Sequence, residues 1–234
     1  LERKKTEYGK DYIMELKEMI SHVDHTQLKA FATWEDIVAL CEEAVEFGTA
    51  SVCIPPCYVK RVHQKYGSKL KICTVIGFPL GYSVTEAKIA ETRKALEDGA
   101  EEIDMVINIS DVKNGDYQKV EQEMIAIKNE CRNHVLKVII ETCYLTEKEK
   151  IAMCKAVTDA GAEYIKTSTG FGTAGAQLED IALFKEYIGD AVRIKAAGGI
   201  RTKESMEAFL AAGCDRIGCS AAGDIMRAER AENE

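Results

Sequence analysis

From about residue 21 onward, short β-branched apolar runs alternate with longer stretches whose apolar residues recur every three and four positions. The short runs near 22–26, 50–54, 71–76, 102–107, 135–140, 163–167, 192–196 and 215–218 read as eight strands. Between them, Thr33-x-x-Asp36, Ser83-x-x-Glu86 and Thr146-x-x-Glu149 have the form of capping boxes, in which side chains take the free N–H groups that open a helix. Residues 6–20 predict one further helix ahead of the first strand. Strands alternating with helices imply a parallel sheet. At this chain length a closed (β/α)8 TIM barrel with an extra N-terminal helix fits better than an open doubly wound sheet. The three prolines (Pro55, Pro56, Pro79) and the absence of any Ser/Gly-rich linker predict an N-terminal extension over 1–20 and one barrel domain over 21–234.

A weak internal repeat supports the barrel. Four times a helical stretch ends in glycine and a strand follows at once: EFGTASVCI, EDGAEEIDM, DAGAEYIKT and AAGCDRIGC. Gly48, Gly99, Gly161 and Gly213 would supply the left-handed residue that turns a helix back into the sheet. Five residues beyond each stand Cys53, Asp104, Lys166 and Gly218, at equivalent positions of the second, fourth, sixth and eighth strands. Alternate strands of such a barrel share an interior layer, so Cys53, Asp104 and Lys166 are expected in one cavity.

Parallel strands covered by helices should be continuously apolar. Here five are broken by charge: Asp24 in HVDHT, Asp104 in EIDMVIN, Lys137 in VLKVIIE, Lys166 in YIKTS and Lys195 in VRIKAAGG. Lys and Asp are rarely buried unless paired. One such residue is as readily a strand end in solvent or a structural ion pair; five on separate strands point to a shared polar site at the C-terminal mouth. Three lysines against two aspartates leave the cluster positive. A lysine nucleophile must lose its proton to attack a carbonyl, and partial burial beside another ammonium favours that loss. Lys195 is the expected neighbour of Lys166, and an aspartate close by can move protons. Metal-assisted aldol cleavage would want several histidines on one face. The chain has His22, His25, His63 and His134, and the first two face opposite sides of a strand, so no metal is expected.

Composition narrows the partners. A net charge of -8 and a pI near 5.3 argue against nucleic acid or a membrane surface. No run approaches the ~18 apolar residues of a membrane span, and LERKKTEYGK lacks the apolar core of a secretion signal. Nine scattered cysteines with no C-x-x-C pair suggest a reducing compartment, the cytoplasm by default. Glycine-bearing segments follow the last three strands: STGFG at 168–172, AGGIR at 197–201 and GCSAAG at 218–223. Such loops let backbone N–H groups approach an anion, and this fold commonly binds phosphate after its seventh and eighth strands. A phosphorylated small molecule is the expected ligand. No P-loop or dinucleotide fingerprint occurs, so neither ATP nor NAD is indicated and no cofactor is expected.

These segments resemble the deoxyribose-phosphate aldolase family. VDHTQL, SVCIPP, VIGFPLG, EEIDMVIN, LKVIIETCYL, EYIKTSTGF, KAAGGIRT and RIGCS occur in the family's order from residue 23 to about 220, and YIKTSTGF with KAAGGIR is the specific part. The resemblance implies a metal-free class I aldolase that reversibly cleaves 2-deoxyribose 5-phosphate to acetaldehyde and glyceraldehyde 3-phosphate. It implies Lys166 as the Schiff-base lysine, Lys195 as the second lysine that lowers its pKa and relays protons, and Asp104 as proton donor and acceptor. Lys137 and Asp24 fall in the supporting network, Cys53 near the substrate without an assigned chemical role, and Gly170, Gly199 and Ser220 at the phosphate. The partners implied are a phosphorylated sugar and aldehydes, with a homodimer left open. One departure stands out: Ala221 follows Ser220 where the family often has a second serine, so a backbone N–H would have to replace that hydroxyl. Two other readings share the loops: a phosphosugar isomerase or epimerase, which needs a base rather than a lysine nucleophile, and a catalytically silent sugar-phosphate-binding barrel, which has no use for two buried lysines. The closing RAERAENE reads as a frayed helix or a tail.

Overall fold

The computed structural model describes residues 15–233. Residues 6–14 of the expected first helix lie outside the described residues; the remainder includes helix α1, Leu16–Ser21. The strands are β1 (Val23–Thr26), β2 (Ser51–Ile54), β3 (Ile72–Ile76), β4 (Glu102–Val106), β5 (Val135–Ile139), β6 (Tyr164–Lys166), β7 (Arg193–Ala197) and β8 (Arg216–Cys219). They close in chain order with every neighbouring pair parallel, β8 returning to β1. Each expected strand appears within one residue of its expected bounds, and the closed sheet excludes the open doubly wound alternative. Around it lie α2 (Trp34–Phe47), α3 (Val59–Tyr66), α4 (Thr85–Glu97), α5 (Ile109–Lys113), α6 (Tyr117–Cys131), α7 (Glu147–Asp159), α8 (Leu178–Tyr187), α9 (Lys203–Ala211) and α10 (Ala222–Asn233). The closing segment is thus helical, and Arg227 and Arg230 tie it to Glu43 and Glu46 of α2.

Two of the three capping boxes form. Thr33 with Asp36 and Thr146 with Glu149 exchange side-chain and backbone hydrogen bonds at the starts of α2 and α7. The third does not: α4 opens one residue later than Ser83 requires, with Val84, which has no side-chain acceptor, at the cap position. Thr85 donates instead to Glu123 of α6 at 3.1 Å, so the contact between helices replaces the local cap. The repeated glycines behave as expected, with φ of 71°, 105°, 69° and 107° at Gly48, Gly99, Gly161 and Gly213. L-residues rarely adopt that conformation.

The apolar core is a shell between sheet and helices. Outward strand residues such as Val52, Ile103, Met105, Val138, Ile165 and Ile217 pack with Ile37, Met124, Ile127, Ile181 and Phe184 from the helices. Each such side chain contributes about 1.5–3 kcal/mol on burial. The barrel interior differs: its separate apolar cluster is Cys53, Cys73 and Val75, with Leu28 and Phe78 against them. Among the described residues, no helix is long and apolar enough to cross a membrane.

Candidate active site

The inward positions of the strands are occupied largely by charge. Asp104 is the hub: its Oδ2 accepts from Lys166 Nζ and Lys195 Nζ, both at 2.8 Å, and its Oδ1 from Lys137 Nζ at 2.9 Å. Lys195 also donates to Asp24 Oδ2 at 2.5 Å. All five charges expected from the broken strands therefore meet inside the barrel, and all are buried. Two ammonium groups bound to one carboxylate oxygen place Lys166 and Lys195 side by side, as their pairing across β6 and β7 requires. Gly218 makes room for this. A Cβ there would stand 2.9 Å from that of Ala197 and 3.4 Å from Lys195 Cε.

Beneath this layer lies a second one that the sequence reading missed. Glu102 accepts from Lys137 at 2.6 Å and from Arg216 at 2.9 Å, while Arg216 also reaches Asp24 Oδ1. Ser51 donates to Asp24 Oδ1 at 2.8 Å, and the Arg216 guanidinium lies 5.8 Å from the Tyr164 ring centroid. The signal was present: Ser51, Glu102, Tyr164 and Arg216 each stand three residues after a repeat glycine, two before the positions that were read. Four cations now face three carboxylates, so the interior still carries one net positive charge.

Partner number decides how these groups ionise. Burial alone would raise the pKa of Asp104, but Lys137, Lys166 and Lys195 override it and hold the carboxyl well below the usual range. Asp24 is lowered likewise, against burial, by Lys195, Lys137 and Arg216. Burial would strip Lys195 of its proton, yet Asp104 and Asp24 raise its pKa above the ordinary lysine value.

Above the charges opens a cavity of about 140 Å³ lined by Lys166, Leu28, Thr169, Arg201 and the three expected phosphate residues Gly170, Gly199 and Ser220. The starts of α9 and α10 follow these loops, and helix N-termini favour an anion. Ala221 does not line this cavity, and its N–H donates to Cys219 Sγ at 3.3 Å. The Cys219 thiol also donates to Ile200 O at 3.3 Å and joins two of the loops. Cys53 points into the barrel but packs with Cys73 behind Leu28 rather than lining this cavity. The histidines turn to the protein: His22 Nδ1 lies 2.9 Å from Asp215 O, and His25 Nε2 lies 2.8 Å from Glu43.

Glu141 also escaped the sequence reading. It is buried with φ 51°, in the left-handed region. Its Oε1 accepts from the Thr169 N–H at 3.1 Å and its Oε2 from the Thr169 hydroxyl, fixing the loop that carries Gly170. Burial raises its pKa above the usual glutamate value.

Comparison with known proteins gives the family and the fold. The family described as DeoC/LacD family aldolase matches residues 18–223. A deoxyribose-phosphate aldolase of Clostridium botulinum (strain Alaska E43 / Type E3) is 63% identical over 92% of this chain and 97% of its own. One from Clostridioides difficile (strain 630) is 55% identical over 92% of this chain and 98% of its own. Among solved structures, the tetrameric deoxyribose phosphate aldolase of Aeropyrum pernix superposes with a TM-score of 0.86 at 30% identity, covering 93% of each chain.

Proposed function

The chain belongs to the DeoC/LacD aldolase family, as a deoxyribose-phosphate aldolase, and from that premise we propose that it reversibly cleaves 2-deoxy-D-ribose 5-phosphate to D-glyceraldehyde 3-phosphate and acetaldehyde through a Schiff base on Lys166. The observation that carries the reading is Lys166 Nζ at the floor of a glycine-walled cavity, 2.8 Å from Asp104 and beside a second ammonium on the same oxygen.

The phosphate sits against Gly170, Gly199 and Ser220, with Arg201 at the rim to balance its charge. This places the aldehyde end of the open-chain sugar toward Lys166. Lys166 sheds a proton, its amine adds to the aldehyde carbon, and that proton leaves with the carbonyl oxygen as water, forming an iminium that withdraws electrons from the adjoining carbons. The hydroxyl proton at C3 then leaves toward Asp104, directly or through water, and the C2–C3 bond breaks. Glyceraldehyde 3-phosphate departs and an enamine remains; its protonation and hydrolysis free acetaldehyde. In the resting site three ammonium groups make Asp104 a weak base. It gains basicity when Lys166 turns to the substrate, which is when a proton must be taken. Lys195 remains charged between Asp24 and Asp104, a fixed positive field beside the reacting nitrogen and a donor for the return proton. Lys137 and Asp24 hold Asp104 and Lys195 in place, and Cys53 lies beside this network.

All nine cysteines are free thiols, which suits a reducing compartment, and we place the enzyme in the cytoplasm.

Borohydride reduction in the presence of 2-deoxyribose 5-phosphate, followed by peptide mass mapping, tests the assignment. The expected result is a substrate-derived adduct on Lys166. An adduct on another lysine overturns the site, and no adduct on folded protein overturns the imine mechanism.

A further inference from the structure

Two cysteines inside the barrel take no part in the aldol steps. Cys53 on β2 and Cys73 on β3 are direct partners across the parallel pair, both buried and both facing inward. Their sulfur atoms lie, together with a carboxylate oxygen of Asp104, within 4.8 Å of one another. Neighbouring strands lie about 4.7–4.9 Å apart, which falls inside the ~4.4–6.8 Å range of Cα separations that a disulfide spans. Closing the bond therefore needs rotation of two side chains rather than movement of a strand. Cys73 is already engaged with the charges: its thiol donates to Asp104 Oδ1 and its sulfur accepts from Lys137 Nζ, both at 3.2 Å.

We infer that Cys53 and Cys73 form an oxidative modification site, a dithiol that a small peroxide converts to a disulfide, with loss of aldolase activity until a thiol reductant restores it. The two sulfurs are unlike. Cys73 alongside, with Lys195 and Lys166, lowers the pKa of Cys53 against burial and Asp104. Burial pushes Cys73 well above the usual thiol value. Cys53 is accordingly the sulfur that attacks, since the thiolate is the nucleophile, and Cys73 is the one that resolves.

In the first step the Cys53 sulfur forms a bond to one peroxide oxygen and the O–O bond breaks. Sulfur is oxidised by two electrons, the peroxide is reduced to water or an alcohol, and Cys53 becomes a sulfenic acid. In the second step the Cys73 sulfur attacks that of Cys53, the S–O bond breaks, and water leaves with the thiol proton. The oxidant enters by the route the sugar uses. Leu28 lines the cavity and also packs on the sulfur pair, and hydrogen peroxide is smaller than any substrate the cavity must admit. Inactivation follows from geometry: as Cys73 turns toward Cys53, Asp104 Oδ1 loses one donor and Lys137 loses an acceptor.

The test treats the full chain with hydrogen peroxide, blocks free thiols with an alkylating reagent, and maps peptides by mass before and after dithiothreitol. The expected product is one cross-linked peptide pair, Cys53 with Cys73, two hydrogens lighter than the reduced pair. It should accumulate in step with at least about tenfold loss of cleavage, both reversed by dithiothreitol. In Cys73→Ser the expected product is irreversible sulfinic acid on Cys53, because no resolving thiol remains. The inference is overturned by sulfinic acid on Cys53 in the unaltered chain, by cross-links that bypass this pair, or by both thiols staying free. The cross-link is read by mass, so the result stands apart from the sugar assignment.

Discussion

Lys88 and Lys137 are both wholly buried, one outside the sheet between α4 and α6 and the other inside the barrel. Lys88 touches one carboxylate, Glu123 at 2.8 Å, with weaker help from Asp111 and Glu91, and donates besides to Val106 O at 2.9 Å. There desolvation prevails over Glu123 and the lysine pKa falls below its ordinary value. Lys137 suffers the same desolvation but meets Asp104, Asp24 and Glu102, and its pKa rises well above that value. Both are shut off from solvent, and Lys137 lies if anything deeper, so burial cannot explain the difference. The number of carboxylates in direct contact does. The outer pair is a tie that fastens the end of β4, the strand that carries Asp104. The inner set is a network in which each charge leans on several others, so removing any member changes the rest.

The largest effect that would test this contrast comes from Asp104→Asn, which leaves three ammonium groups without their common partner. Cleavage should fall by at least ~10³-fold, and the urea midpoint should report a loss of about 3–5 kcal/mol. Activity within tenfold of the parent would show that the interior does not act as a unit. A smaller effect is expected outside the barrel. Lys88→Met alone strands a buried Glu123 and should cost about 3 kcal/mol, whereas Lys88→Met with Glu123→Leu should recover most of it. Steady-state kinetics of the double variant should stay within about threefold of the parent. A double variant that lost activity as Asp104→Asn does would erase the distinction between the two regions.

The smallest effects lie in the pH dependence of stability. Asp24 and Asp104 have pKa values lowered in the fold, so their stabilisation is complete above the ordinary aspartate value of 3.8 and is lost as pH falls through their folded values. Thermal melts should weaken as pH drops below about 4. At alkaline pH the two lysines act with opposite sign. The raised Lys137 stabilises below the ordinary lysine value of 10.5 and loses that contribution as pH rises through its folded value. The lowered Lys88 penalises the fold below its own folded value, and the penalty fades as pH climbs toward 10.5. The parent should therefore gain stability relative to Lys88→Met as pH rises into that range, measured by denaturant midpoints. A gap that narrows instead would reverse the sign assigned to Lys88.

Much of this arrangement could be read from the chain because parallel barrels expose a plain signal: covered strands are apolar, and a charge within one needs a reason. Lys166 and Asp104 stood out on that ground. Glu102 and Arg216 did not, because each opens its strand, where a charge ordinarily reaches solvent. Lys88 was hidden for another reason. A lysine on a helix is unremarkable until its spacing with buried Thr92 and Ala95 shows which face it shares. Glu141 follows an apolar run at the end of β5, and only its backbone conformation and its grip on Thr169 mark it out. The Ser83 box misled because local chemistry offered a cap that packing between α4 and α6 displaced.

Closure of the sheet between β8 and β1 has a consequence for how the protein is made. Asp24 leaves the ribosome ahead of its partners Lys195 and Arg216, which come 171 and 192 residues later. Until the last two strands arrive, Asp24 is without the Lys195 and Arg216 cations that face it in the finished barrel. Collapse of such an intermediate buries unpaired charge, which is costly. Productive folding must then wait for the last two strands, and fragments ending before β8 should be held open by the unpaired charges of the barrel interior. The charged interior acts as a completeness check on the chain, admitting the compact state only when both ends of the barrel are present to meet.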